Sequence, residues 1–231
     1  MTKETPGKIF LADQHYISET AILKRCSTFP SEAAGQEDRQ PFRSLYLLNE
    51  ELLAAYQSVN LEVKQDSYLV LIPITGEVNF LDCKGHMETL DVEEVQVHHV
   101  SAGYTYQISN PYKTDNITFL QLWMKATAPV AIASPDIYTY TIGRLHNNLA
   151  NIVTNARFPF RISMGRFDGR QEAVYKLQNK TSALYAYALS GVFEVEGRLL
   201  HEKDGIALWD TAEVELEALS HNALILFLEL I

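Results

Sequence analysis

The sequence predicts an all-β protein made of two similar antiparallel β domains. Two observations support this prediction: short apolar segments with the periodicity of strands recur along the chain, and the order of these segments repeats once. A chain of 231 residues with 47% hydrophobic content is long enough to bury the cores of two such domains.

Two segments illustrate the strand patterns. Residues 117–125, ITFLQLWMK, are apolar at odd and even positions, which is typical of a strand buried on both faces. Residues 212–219, AEVELEAL, alternate strictly, so Val214, Leu216 and Ala218 are predicted to point inward. We interpret the glutamates between them as a solvated sheet face rather than a cation site.

The repeat becomes visible when residues 67–124 are compared with residues 182–230. Each half begins with an apolar strand and a glycine turn, SYLVLIPITGE in the first and SALYAYALSGV in the second. Each half then continues through a hairpin and a middle strand, and ends with an apolar strand. Two copies of one unit predict two closed sandwiches in tandem.

One segment has a different local pattern. Residues 47–57, LLNEELLAAYQ, contain strong helix formers behind Asn49, which is a favourable N-cap residue. Considered locally, this segment predicts a short helix.

Charge and cysteine content exclude several classes of function. The formal net charge is -10 and no cluster of Lys and Arg occurs, so we expect no nucleic-acid partner. No apolar run reaches the roughly 20 residues of a membrane helix, and the N-terminus has no signal-peptide pattern, which predicts a cytoplasmic protein without a membrane partner. Cys26 and Cys83 form no CxxC pair, which excludes a zinc ribbon, and we expect no disulfide between them.

Several short segments, taken in order, resemble one family. They are FRSLYLLNEE (42–51), LVLIPITGE (69–77), SAG (101–103), NPY (110–112), FLQLW (119–123), DGIALWD (204–210) and LILFLEL (224–230). The chain is similar in these segments to the pirins, and especially to bacterial pirins with quercetin dioxygenase activity. The resemblance covers nearly the whole chain.

The resemblance implies a bicupin, with two tandem double-stranded β-helix (jelly-roll) barrels and few short helices. The implied domains are an N-terminal cupin domain over 1–135 and a C-terminal cupin domain over 136–231. It also implies that the segment around 45–48 is a strand, which argues against the local helix prediction.

The family holds iron or a similar metal with a His-x-His pair on one strand and a His-x-Glu pair on a later one. Such a ligand set leaves positions open for oxygen and substrate. Counting back from Gly76 places the first pair at Glu62 and Lys64. The second pair falls on Ile108 and Asn110 when counted from Gly103, or on Tyr106 and Ile108 when counted from Asn110.

These residues predict that the metal ligands are not retained. An ammonium at Lys64 repels a cation, isoleucine has no donor atom, and Glu62 alone would bind a metal weakly. We expect Glu62 and Lys64 to pair and fill the vacated pocket. His98 and Trp123 are predicted pocket neighbours, and because His98 and His99 are adjacent on a strand, only one of them can face the pocket.

The sequence leaves three hypotheses open. The first is a non-catalytic, metal-free protein that binds a small organic ligand, with Lys64 pairing an anionic group, or that regulates a protein partner. The second is a dioxygenase that holds iron or another divalent transition metal with altered ligands. The third is a metal-free enzyme that uses Lys64 as a base or nucleophile.

Overall fold

The computed structural model describes residues 4–29, 40–127 and 134–231. This part of the chain is almost entirely strand and turn, with two short 3-10 helices at Ala12–Gln14 and Ile142–Leu145. The predicted all-β fold class is confirmed. Within the same ranges, no helix is long and apolar enough to cross a membrane.

Twenty-one strands follow one another along the described residues. The first twelve are β1 (Gly7–Phe10), β2 (Tyr16–Glu19), β3 (Leu23–Ser27), β4 (Leu45–Leu53), β5 (Ser58–Glu62), β6 (Ser67–Thr75), β7 (Val78–Asp82), β8 (Met87–Leu90), β9 (Glu94–Val100), β10 (Thr105–Ser109), β11 (Ile117–Lys125) and β12 (Asp136–Thr139). The others are β13 (Leu149–Val153), β14 (Phe160–Phe167), β15 (Glu172–Lys176), β16 (Ala183–Ser190), β17 (Phe193–Val195), β18 (Arg198–Leu200), β19 (Gly205–Leu208), β20 (Glu213–Ala218) and β21 (Ala223–Leu230).

The strands form two compact units. One unit is His15–Thr139, and the other combines the residues up to Gln14 with Tyr140–Ile231. This division differs from the predicted domains of 1–135 and 136–231 at both ends. β12 still pairs with β9 of the first unit, whereas β1 pairs with β19 of the second. Strand pairing between distant segments cannot be deduced from a local change in composition.

Each unit consists of two antiparallel sheets, and we call the units the N-terminal and C-terminal barrels. In the N-terminal barrel the sheet orders are β12-β9-β6-β11-β4-β3-β2 and β5-β10-β7-β8. In the C-terminal barrel they are β1-β19-β16-β21-β14-β13 and β15-β20-β17-β18. The orders β9-β6-β11-β4 and β19-β16-β21-β14 correspond strand for strand, as do the two smaller sheets, so the sequence repeat reflects a repeated topology.

The core follows the alternation of side chains along each strand. On β11, Ile117, Phe119 and Trp123 pack in the core of the N-terminal barrel, and the residues between them are also nearly all buried. On β20, Val214, Leu216 and Ala218 are buried in the C-terminal barrel, as their alternation predicted.

The helix prediction for residues 47–57 was wrong. Leu45–Leu53 is the strand β4, which pairs with β3 on one side and β11 on the other. Pairing on both sides overrides the helix propensity of the segment. Because alternate residues share a face, Asn49 and Glu51 lie on the same face as the core residues Leu47 and Leu53.

Candidate functional site

A cleft of about 220 Å³ opens in the N-terminal barrel. We call it the His98 cleft, after the residue of β9 that lines it. Its lining residues are Asp82, Lys84, His86, His98, Tyr104, Ser134 and Pro135. His98 is 4% exposed and Tyr104 is 6% exposed, so the deepest part of the cleft combines an imidazole and a phenol.

His98 and Tyr104 form a fixed pair. The Nδ1 atom of His98 lies 3.3 Å from the Tyr104 hydroxyl, and the two rings meet edge to face with centroids 5.1 Å apart. Burial is the main cause that raises the pKa of Tyr104, with further contributions from Asp82 and Cys83. The hydroxyl therefore stays protonated at neutral pH, and whether it donates to Nδ1 or accepts from it depends on the tautomer of His98.

The tip of the β7–β8 hairpin contributes the more exposed side of the cleft. Oδ1 of Asp82 accepts hydrogen bonds from the backbone N–H groups of Lys84 and His86, both at 2.8 Å. Gly85 between them has a φ of +85°, a left-handed conformation that favours glycine. The turn therefore fixes where Lys84 and His86 leave the backbone.

A buried polar network lies on the inner face of the larger sheet. Glu51 is fully buried, and its Oε1 accepts from Arg25 Nε and Gln121 Nε2, both at 2.9 Å, and from Asn49 Nδ2 at 3.3 Å. Gln121 in turn accepts from the hydroxyl of Tyr106 at 2.5 Å. Burial, followed by the charge of Glu51, raises the pKa of Tyr106 well above its ordinary value.

Glu51 Oε2 differs from Oε1. It is buried and has no hydrogen-bond partner among the described residues, and the same is true of Asn49 Oδ1. Unpaired buried oxygens are unusual because each loses its hydration without compensation. The interior of this barrel thus offers acceptors that its own side chains do not use.

Glu62 and Tyr106, two of the predicted pocket residues, line a separate open depression of about 490 Å³. Glu62 and Lys64 do pair, with Oε2 and Nζ 2.6 Å apart, but their side chains are 48% and 77% exposed. The pair lies on the surface, whereas we expected it to fill an interior pocket. Val63 between them is the residue that packs in the core.

The remaining predicted residues are all buried. Tyr106, Ile108 and Trp123 belong to the core of the N-terminal barrel. Asn110 is occupied by its own loop, since its Nδ2 donates to the carbonyl oxygens of Leu53, Ala54 and Asp115 and its Oδ1 accepts from Tyr112 N–H.

The prediction that only one of the two adjacent histidines can face the pocket agrees with the structure. His98 lies on the inner face, against Phe80 and Tyr104. His99 lies on the opposite face, where it stacks on Tyr68 with ring centroids 4.3 Å apart.

Comparisons with known proteins agree with this architecture. A family model described as the quercetinase C-terminal cupin domain matches residues 155–230. The bacterial pirin YhhW from Escherichia coli, in a structure with nickel(II), aligns with a TM-score of 0.84 at 14% identity, over 97% of this chain and 99% of that one. Residues 155–230 thus match the quercetinase C-terminal cupin family, and the chain has the bicupin fold seen in the bacterial pirin.

Two further structures share this bicupin fold. YhaK from Escherichia coli has a TM-score of 0.73 at 18% identity, covering 95% of this chain and 94% of that one. Quercetin 2,3-dioxygenase from Acinetobacter baumannii has a TM-score of 0.71 at 15% identity, covering 96% and 85%. The comparison with curated proteins finds no match.

The pirin-like fold raises the question of whether these residues fit a metal. The predicted ligand positions Glu62 and Lys64 are exposed, and the residues beside them that turn toward the core are Leu61 and Val63, which have no donor atoms. Within the described ranges, no three His, Cys, Asp or Glu side chains are grouped so as to hold an ion. The predicted positions therefore do not form a ligand set.

Sequence reasoning missed several residues that the structure brings together. Asn49 and Glu51 both occur in the segment LLNEELL. On a strand, alternate positions place the two side chains on one face, but a helix prediction for this segment does not show that relation. Lys84 and Tyr104 carried no recognisable signal, because a tight turn and a distant strand place them beside His98.

Proposed function

We propose that this pirin-like bicupin is a metal-independent protein that binds a small organic ligand in the His98 cleft and has no catalytic role. The observation that carries the proposal is the buried His98–Tyr104 pair at the bottom of an accessible cleft. A recess with aromatic walls and a few fixed polar groups is the usual form of a small-molecule site. The ligand-poor positions 61–64 support the absence of a metal.

A regulatory role through a protein partner is compatible with this proposal, but the residues of the cleft give no argument for it. The cytoplasmic location and the absence of nucleic-acid and membrane partners stay predictions from the sequence.

A thermal-shift screen tests the proposal. Because a ligand that binds only the folded state raises the Tm, we expect at least one small organic compound to raise it, and iron, nickel, copper and manganese salts to leave it unchanged. The shift should disappear in His98→Ala. The Tm of this variant without ligand shows how much the substitution itself destabilises the protein. An organic panel that shifts neither protein would contradict the proposal.

The second candidate is a dioxygenase with altered metal ligands. It is favoured by one observation, namely that His98, His86 and Asp82 line the same cleft, and it requires these side chains to move together, since they are not grouped to hold an ion in this structure. Elemental analysis of protein purified without chelator separates the two candidates. A full equivalent of transition metal, together with oxygen uptake in the presence of a flavonol, would replace the first proposal by the second.

A further inference from the structure

The His98 cleft contains a strong cationic hydrogen-bond donor. Lys84 contributes an ammonium group with three N–H donors, and the imidazole of His98 lies buried in the same cleft. The carboxylate of Asp82 is the main opposing group, but its Oδ1 already accepts two backbone N–H bonds at 2.8 Å within the hairpin. The arrangement favours a ligand that brings acceptors.

Lys84 differs from the other lysine considered for this role. Lys64 is paired with Glu62 at 2.6 Å, so its charge is already matched. None of the ion pairs among the described residues involves Lys84. The sequence assigned the pairing of an anionic group to Lys64, and the structure transfers that role to Lys84.

The other ionisable groups near the hairpin tip do not cancel this charge. Glu88 lies on β8 beside His86, with 3.4 Å between His86 Nε2 and Glu88 Oε1, so its carboxylate faces the imidazole. Tyr104 stays a neutral phenol because burial raises its pKa. Among the described residues Lys84 therefore takes part in no ion pair, and the carboxylate that shares the cleft with it, Asp82, is held by the hairpin through Oδ1.

The size of the cleft limits the ligand. A volume of about 220 Å³ corresponds to about seven water molecules at about 30 Å³ each, which suits a molecule with one ring. The ring of Tyr104 and Pro135 supply apolar surface for such a ring.

We propose that the ligand of the His98 cleft is a small monocyclic organic anion whose carboxylate pairs with Lys84. This inference rests on the proposed function and specifies the chemistry of the same site. The hairpin positions the ammonium, Tyr104 and Pro135 contact the ring, and His98 lines the buried end of the cleft.

Calorimetric titration with benzoate and with its neutral counterpart benzamide tests the inference. We expect benzoate to bind the unmodified protein more tightly than benzamide does, and its affinity to fall with added salt because the pair is partly exposed. Lys84→Ala should weaken benzoate about fivefold, the upper range for an exposed ion pair, and leave benzamide unchanged. The matched control Lys64→Ala, on the same barrel, should change neither affinity.

The possible outcomes separate this inference from the proposed function. Equal affinities for the two compounds, or a benzoate affinity that Lys84→Ala does not alter, would overturn the anionic ligand. If neither compound binds, but another class of ligand raises the Tm of the unmodified protein and not that of His98→Ala, the inference fails and the proposed function stands. If no compound gives a Tm shift that His98→Ala abolishes, both fail. The Tm of each ligand-free variant verifies that it folds.

Discussion

The two barrels have the same topology and different interiors. The core of the C-terminal barrel consists of aromatic and aliphatic side chains, among them Phe167, Phe193 and Phe227. On the corresponding inner face of the N-terminal barrel lie Asn49, Glu51 and Gln121, together with the cleft at His98. One scaffold thus supports a barrel with a mostly apolar interior around the buried carboxylate of Glu229, and another with a polar network and a cleft.

The buried carboxylates make the difference specific. In the C-terminal barrel, Glu229 accepts from the Tyr175 hydroxyl through Oε2 at 2.9 Å and from the Gln178 N–H through Oε1 at 2.7 Å. In the N-terminal barrel, all three donors to Glu51 reach Oε1. Among the described residues, the first carboxylate is satisfied on both oxygens, whereas the second is satisfied on one.

The largest expected effect concerns the apolar barrel. Phe227→Ala should lower the free energy of unfolding by about 3–5 kcal/mol, because it removes a fully buried ring and leaves a cavity. Denaturant titration measures the loss. The control is Val174→Ala in the same barrel, where a side chain that is 52% exposed should matter by about 0.5 kcal/mol or less. Equal effects of the two changes would show that apolar packing does not close this barrel.

The polar network should be the next most sensitive feature. Glu51→Gln removes the charge that Arg25 pairs with and turns one of the two buried carboxylate oxygens into an amide donor, so we expect a loss of about 2 kcal/mol in the free energy of unfolding. Glu62→Gln, an equal change on an exposed side chain, should cost about 0.5 kcal/mol or less. If Glu51→Gln left the free energy of unfolding unchanged, the network would not stabilise the fold, and the contrast between Glu51 and Glu229 would have no effect on stability.

A smaller effect should depend on pH. Burial lowers the pKa of His99 from its ordinary value of 6.5, and nearby Asp66 partly opposes this. In the unfolded chain His99 is protonated as the pH falls through 6.5, whereas in the folded protein it is protonated only at a lower pH. Proton binding therefore favours the unfolded state, and stability is lost as the pH falls below 6.5. We expect His99→Gln to reduce the drop in Tm between pH 7.5 and pH 5, whereas the exposed His201→Gln should not. A drop that persists in full in His99→Gln would assign the pH dependence to other groups.

The smallest effect should come from the position that the sequence favoured. Lys64→Ala removes an exposed ion pair with Glu62 and should change the free energy of unfolding by about 0.5 kcal/mol or less, as measured by denaturant titration. A loss several times larger would mean that the pair is buried in solution and that Lys64 does belong to the interior.

The fold could be predicted from the sequence because it depends on patterns that repeat. The alternation in residues 212–219 and the matching order of segments in the two halves lead directly to two barrels. The family resemblance also corrected the helix prediction, since pairing with β3 and β11 decides the conformation of Leu45–Leu53.

The site could be predicted only in part, because a single residue of register decides which face a side chain takes. Residues 63–66 between β5 and β6 are not strand, so counting alternate positions back from Gly76 does not carry across them. Glu62 and Lys64 therefore lie outside, although Val63 is buried. His98 stays a predicted pocket neighbour, and in the structure it lines the cleft beside the β7–β8 turn.

The pairing of β1 with β19 has a consequence for how the molecule is made. Gly7 lies opposite Leu208, so β1 leaves the ribosome before the strands of the N-terminal barrel but belongs to the barrel that is completed after it. The N-terminal barrel holds all its strands once Thr139 has been synthesised, while β1 must wait for about 200 residues before its neighbour exists. A shortened protein that begins after Gln14 would expose β19 as a new sheet edge and invite association through it.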